Sequence, residues 1–97
     1  MPTYISLVSL TEQGVRDAKS IPERIAATER LFQEFGASLK ELFLVMGEYD
    51  YVAIAEAPDD ETVAKAVLSL GARGSVRTVT FRAFKKDEIP KIVQGLR

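Results

Sequence analysis

The sequence contains no cysteine, no histidine and no tryptophan. Without cysteine there is no disulfide, no thiolate nucleophile, no iron–sulfur ligation and no Cys-type zinc site. Without histidine the commonest general base and the commonest transition-metal ligand are missing. No metal site and no cofactor are therefore expected. No apolar run approaches the roughly 18 residues of a membrane span, and no signal peptide is expected ahead of the first strand. The expectation is a soluble, cytoplasmic protein with no membrane partner.

What is present is ordinary globular material: 97 residues, 46% hydrophobic, 28% charged, net charge -1. Residues 1–97 are expected to form a single domain. Charge is uneven along the chain. Residues 1–72 hold six Lys/Arg against twelve Asp/Glu, and residues 73–97 hold seven against two. A basic end segment can mark a nucleic-acid footprint. Here the cations are interleaved with apolar residues and the pI is 5.4, well below the value of about 9 that marks nucleic-acid binders. Nucleic acid is thus disfavoured as a partner. Pairing of this segment with the acidic remainder, within or between subunits, is expected instead.

Residue patterning predicts the elements. Thr3 to Leu10 reads as a strand. A helix covers about Val15 to Phe35, broken at Pro22, with Ser20 as N-cap candidate and Ile21, Ile25, Thr28, Phe32 and Phe35 as its buried stripe. Gly36 ends it. Ser38 to Met46 and Tyr49 to Ala57 read as a hairpin, with Gly47-Glu48 in a two-residue type II′ turn. Asp59 or Asp60 caps a helix running to about Leu70, buried through Val63, Ala66, Val67 and Leu70. Ser75 to Phe84 is the last strand, and a short helix follows near Pro90. The order βαββαβ predicts a ferredoxin-like α+β sandwich with a C-terminal helix, both main helices on one face, and strand order 4-1-3-2.

Alternation assigns the sheet faces. Leu44 is placed opposite Tyr51 and Leu42 opposite Ala53. The purer apolar sets (Leu42, Leu44, Met46, Tyr49, Tyr51, Ala53 and Ala55, with Ile5, Leu7, Val79, Phe81 and Ala83) are assigned to the helices. The open face would then carry Tyr4, Val8, Phe43, Val45, Val52 and Ile54. That is a large apolar patch for a soluble monomer, and a second copy laid sheet to sheet would cover it. The expected assembly is a homodimer, or a larger homo-oligomer, built as a dimeric α/β barrel. A one-residue slip would exchange the faces.

Charges expected on that open face are Glu41, Asp50, Glu56 and Arg82, with Arg82 paired to Glu56 or Asp50 in the same chain or across the dimer. Tyr4, Asp50, Glu56, Thr78, Thr80 and Arg82 are the candidate ligand-binding residues, lining a cavity between facing sheets. Gly47, Tyr49, Asp59 and Arg77 are assigned structural roles: hairpin geometry for the first two, a helix cap for Asp59, a charge partner for Arg77. Asp59-Asp60-Glu61 looks like a carboxylate cluster, but three carboxylates at a helix start commonly serve as caps and dipole partners.

The segment Gly47-Glu48-Tyr49-Asp50 resembles the motif that names the GYD domain family of small bacterial and archaeal proteins. Glu56-Ala57-Pro58-Asp59-Asp60-Glu61, Gly74-Ser75-Val76-Arg77-Thr78 and the early Thr11-Glu12-Gln13-Gly14 are similar to the same pattern. The resemblance spans nearly the whole chain. It implies a ferredoxin-like fold of the dimeric α/β barrel type, similar to feast/famine regulator ligand domains and to cofactor-free monooxygenases. The family has no agreed activity. The primary expectation is binding or sensing of a small molecule. The alternatives are a cofactor-free monooxygenase, with Asp50 or Glu56 as base and Arg82 steadying an oxyanion, or a structural or assembly module. RNA binding through Tyr4 is disfavoured because strand three lacks the Lys/Arg-Gly-aromatic pattern.

Overall fold

The computed structural model describes residues 1–97. Four strands, β1 (Thr3–Leu10), β2 (Ser38–Leu44), β3 (Tyr51–Glu56) and β4 (Val76–Ala83), form one antiparallel sheet in the order β2-β3-β1-β4. This is the predicted order. Helices α1 (Glu12–Arg16), α2 (Ile21–Glu34) and α3 (Asp60–Ala72) connect the strands, and α4 (Ile89–Gln94) ends the chain. The fold is ferredoxin-like.

Local chemistry explains the helix limits. The Thr11 hydroxyl accepts the Gly14 N–H at 3.1 Å and starts α1. Pro22 occupies the first turn of α2, where its missing N–H costs nothing. Ser20 does not cap that helix as predicted. Its hydroxyl donates instead to the Asp17 carbonyl, because residues 18–20 form a 3-10 turn joining α1 to α2. Gly36 has φ 80, and Ala37 N–H reaches back to the Phe32 carbonyl at 2.9 Å. That is the left-handed helix stop expected of a glycine here. Asp59 caps α3 by accepting both the N–H and the hydroxyl of Thr62, which holds its carboxyl below the usual carboxylate range.

The β2–β3 connection is longer than predicted. Leu44 faces Tyr51 and Leu42 faces Ala53, as expected, but β2 ends at Leu44 and β3 begins at Tyr51. Met46 and Tyr49 do not pair across a two-residue turn. Asp50 closes the connection and ties it to β1. Its carbonyl accepts the Val45 N–H at 2.9 Å. Its N–H donates to the Val8 carbonyl and its carboxylate accepts the Leu10 N–H, both at 2.8 Å.

The face assignment is corrected for two strands. Tyr4, Ser6 and Val8 are buried beneath the helices and face Ala55, Ala53 and Tyr51 across β3. On the other side they face Arg82, Thr80 and Thr78. The helix layer therefore covers small and hydroxyl-bearing residues, and the Ser6 and Thr80 hydroxyls satisfy each other at 2.7 Å. A hydroxyl that is paired can be buried cheaply. The larger apolar side chains of β1 and β4 (Ile5, Leu7, Val79 and Phe81) join Phe43, Val52 and Ile54 on the uncovered face. Leu44, assigned to the helices, is exposed at the end of the edge strand β2. In β2 a bulge between Leu39 and Glu41 places an extra residue, Lys40, in the strand and resets its alternation.

The uncovered face makes the molecule thin. Its extents are 51 × 30 × 18 Å and its radius of gyration is 14.7 Å, against about 12.5 Å for a compact chain of this length. It exposes 6760 Å², against about 5,500 Å² for a folded monomer of its mass. Only 14 of 97 residues are buried. The core joins Tyr4, Ala55 and Ala57 of the sheet side to Phe32, Ala37, Val63 and Ala66. No helix is long and apolar enough to cross a membrane.

Candidate functional site

Small side chains dictate where the interior is empty. One row across the helix side of the sheet reads Leu42, Ala53, Ser6, Thr80. Alanine, serine and threonine leave space that α2 and α3 do not fill. The result is a cavity of about 140 Å³. Its floor includes Ser6, Ala53, Ala55, Tyr51 and Thr78; its roof includes Ile25, Thr28 and Phe32 of α2 and Val67 and Leu70 of α3. Arg24 and Arg73 also line it. Burial raises the Tyr51 phenol above its ordinary pKa, the nearby Arg24 charge acts in the opposite direction, and Asp50 raises it further.

The ligand candidates taken from the sequence do not converge on one place. Tyr4, Thr80 and Arg82 line a shallow groove between α3 and β4 together with Asp60. Thr78 lines the cavity beneath α2 and α3. Asp50 is committed to the Leu10 N–H, and Glu56 lies on the opposite side of the sheet. Glu56 accepts from Lys85 at 2.8 Å and meets Lys40 at 3.9 Å. The Lys85 bond holds its carboxyl below the usual range. Within the chain Arg82 pairs with neither Glu56 nor Asp50, so the same-chain form of that expectation is corrected. Its guanidinium lies 4.4 Å from the Phe84 ring centroid and 5.8 Å from that of Tyr4. It donates to the Thr3 and Ala83 carbonyls and stands 4.0 Å from Glu88. A base at Asp50 or Glu56 acting together with Arg82 is not assembled here.

The residues assigned structural roles behave variously. Gly47 has φ 149 within the β2–β3 connection, and Tyr49 is half-buried beside it. Arg77 is exposed on β4 opposite Ser9 and forms no ion pair. The acidic run separates by function. Asp59 caps α3, Asp60 accepts from Tyr4, and Glu61 meets Lys65 at 3.5 Å.

Sequence reasoning missed Ser6, Arg24 and Arg73 as cavity residues. The readable signal was β3, where every second residue on the helix side after Tyr51 is alanine (Ala53, Ala55). An alanine-floored strand under two helices leaves room.

Tyr4 gives a pH prediction. It is 3% exposed, and its hydroxyl donates to Asp60 Oδ1 at 2.5 Å. Burial, then the bond to Asp60, push its pKa up to about 12. The neutral phenol is thus favoured in the folded chain. Its contribution is complete below the ordinary tyrosine value and is lost as pH rises through the folded value. Stability is expected to fall between pH 10 and 12. Tyr4→Phe should cost about 1 kcal/mol at pH 7 and flatten that fall. Urea titrations of both proteins across this range check it; parallel curves would contradict it.

Comparison with known proteins matches this arrangement to a family. The chain is 43% identical over 84 residues to the "glutamine synthetase and cystathionine beta-lyase binding protein" of Thermus thermophilus, covering 86% of this chain and 88% of that one. A crystal structure of another Thermus thermophilus chain superposes with TM-score 0.57 at 25% identity, covering 88% of this chain and 95% of the other. FFRP-DM1, also known from a crystal structure, gives TM-score 0.61 at 20% identity over 87% of this chain and 100% of its own, a likeness of fold. The profile of the GYD domain matches residues 4–93, so the chain belongs to the GYD domain family.

Proposed function

We propose that this chain is a protein-binding module, paired sheet to sheet with a second copy, that docks on metabolic enzymes of the glutamine synthetase and cystathionine beta-lyase kind. The likeness to the Thermus protein named for binding those two enzymes carries the reading. The missing third layer supports self-pairing. A two-layer slab of this mass has about 1,200 Å² more surface than a compact monomer, and a standard interface removes about 800 Å² per partner. With the sheet taken by a second copy, α4 offers a further apolar surface. Ile89, Ile92, Val93 and Leu96 are all exposed.

The test is co-sedimentation of the purified chain with glutamine synthetase and with cystathionine beta-lyase at about 50 µM, above the micromolar Kd of a transient complex. Saturable co-migration is expected with at least one enzyme. Ile92→Asp together with Val93→Asp should abolish it while leaving the pair of chains intact. Absence of co-migration with both enzymes would end the docking reading.

A second reading, small-molecule binding, is favoured by the cavity beneath α2 and α3. The sequence pattern places such a cavity between facing sheets; this one lies on the other side of the sheet.

A further inference from the structure

We infer that the cavity between the sheet and helices α2 and α3 binds a small organic carboxylate, its compact apolar body over Ala53 and Ala55 and its charge against Arg24 and Arg73. The inference rests on the small-molecule reading above and is independent of enzyme docking. Size sets the first limit. The cavity holds about 140 Å³, and one of about 150 Å³ accommodates a benzene ring. A nucleotide or a long acyl chain does not fit; a single ring or a short branched chain does.

Chemistry sets the second limit. Fourteen of the twenty lining residues are hydrophobic. The polar remainder is four hydroxyls (Ser6, Thr28, Ser75, Thr78) and two guanidinium groups; no carboxylate lines the space. Neither Arg24 nor Arg73 forms an ion pair anywhere in the chain. Arg24 Nη2 donates to the carbonyls of Gly14 and Asp17, which accounts for one corner of that side chain. Its Nε is buried with no hydrogen-bond partner. A buried donor of a charged group without a partner is costly, and an anion reaching it would remove the cost. A planar carboxylate matches a guanidinium edge, which offers two parallel donors.

Position sets the third. Arg24 lies near the chain leaving β1, through its bonds to Gly14 and Asp17. Arg73 ends α3 just before β4. The last residue of β1 faces the first of β4, Leu10 against Val76. Both cations thus stand at one end of the cavity. Phe32, Leu39 and Ala55 line it too, and Tyr4, the partner of Ala55 across β1, lies near the start of that strand. An amphipathic anion has one orientation in such a space.

Phenylacetate and its neutral isostere phenylacetamide are the probes, titrated into the intact chain and followed by amide NMR shifts and by Tm. Phenylacetate is expected to move the amides of Ser6, Tyr51, Ala53 and Thr78 saturably and to raise Tm. Phenylacetamide should bind about tenfold more weakly, the loss of one charge-assisted contact. Arg73 is exposed at the rim, where folding is not at stake. Arg73→Gln should weaken phenylacetate by a similar factor and leave phenylacetamide unchanged. Ala53→Leu should fill the floor and abolish both. Equal binding of the two probes, or no effect of Arg73→Gln, would overturn the carboxylate assignment while leaving a small-molecule site. Amides of the cavity that move with neither probe would overturn both.

Discussion

Replacing Phe81 with glutamate is expected to convert a pair of chains into single 10.7 kDa chains with unchanged secondary structure. Phe81 is 45% exposed on the uncovered face, on the edge strand β4 and opposite Ile5 on β1. Val79 shares its side of β4, and Phe43 extends the same apolar surface onto β2. In a lone chain, a glutamate at this position would sit in water and cost little. In a sheet-to-sheet pair, two carboxylates would lose their hydration with no cation assigned to them, a cost of several kcal/mol. The dissociation constant of the pair should rise by at least about a hundredfold, or about 2.7 kcal/mol at about 1.36 kcal/mol per tenfold. Phe81→Leu should keep the pair. Sedimentation equilibrium of all three proteins reads the outcome. A parent chain that runs as a single 10.7 kDa particle at micromolar concentration removes the pairing.

Gly14→Ala should be the most damaging small substitution in the chain. A Cβ built at Gly14 overlaps the Ser75 carbonyl oxygen and lies 3.1 Å from its carbon. Neither side can withdraw. The same Ser75 oxygen accepts the Thr11 N–H at 3.0 Å, and the Thr11 hydroxyl donates to the Gly74 carbonyl at 2.6 Å. These bonds clamp the end of β1 to the start of β4. Overpacking ordinarily costs about 1–3 kcal/mol, and a backbone neighbour that cannot move should put this case at about 3 kcal/mol or beyond. Gly71→Ala is the control. Gly71 lies in α3 with open space where its Cβ would stand, so it should gain about 0.5–1 kcal/mol. Urea midpoints compare the two; a Gly14→Ala protein within about 0.5 kcal/mol of the parent would show that the clamp yields.

Connectivity was legible in the sequence because it depends on order and local signals. Gly36, Pro22 and Asp59 mark helix limits, and the βαββαβ order leaves few right-handed arrangements. The pairing of Leu44 with Tyr51 followed from hairpin symmetry, although the actual connection runs from Val45 to Asp50 and is longer than a two-residue turn. The faces of β1 and β4 were not legible by apolar purity. That criterion assigned Ile5, Leu7, Val79 and Phe81 to the helices, where a monomer would need them. The fold instead gives the helices the Ser6–Thr80 pair and the Tyr4–Asp60 bond, and leaves the larger apolar residues uncovered. Distribution of greasy residues between two layers is a property of the whole assembly, which one strand's alternation does not report. The cavity beneath the helices was not read from the sequence, whose pattern placed one between facing sheets; Ala53 and Ala55 carried the signal for its floor, and Arg24 reaches it from α2.

The bulge at Lys40 bears on how assembly stops. Sheets that stack by their faces still carry two raw margins, β2 and β4, and an unpaired margin is a template for the next chain. An extra residue and a cation in the middle of β2 break the regular spacing of its outward N–H and C=O groups. Growth sideways into a ribbon would meet that irregularity at every subunit, so cohesion perpendicular to the sheet need not bring polymerisation within its plane.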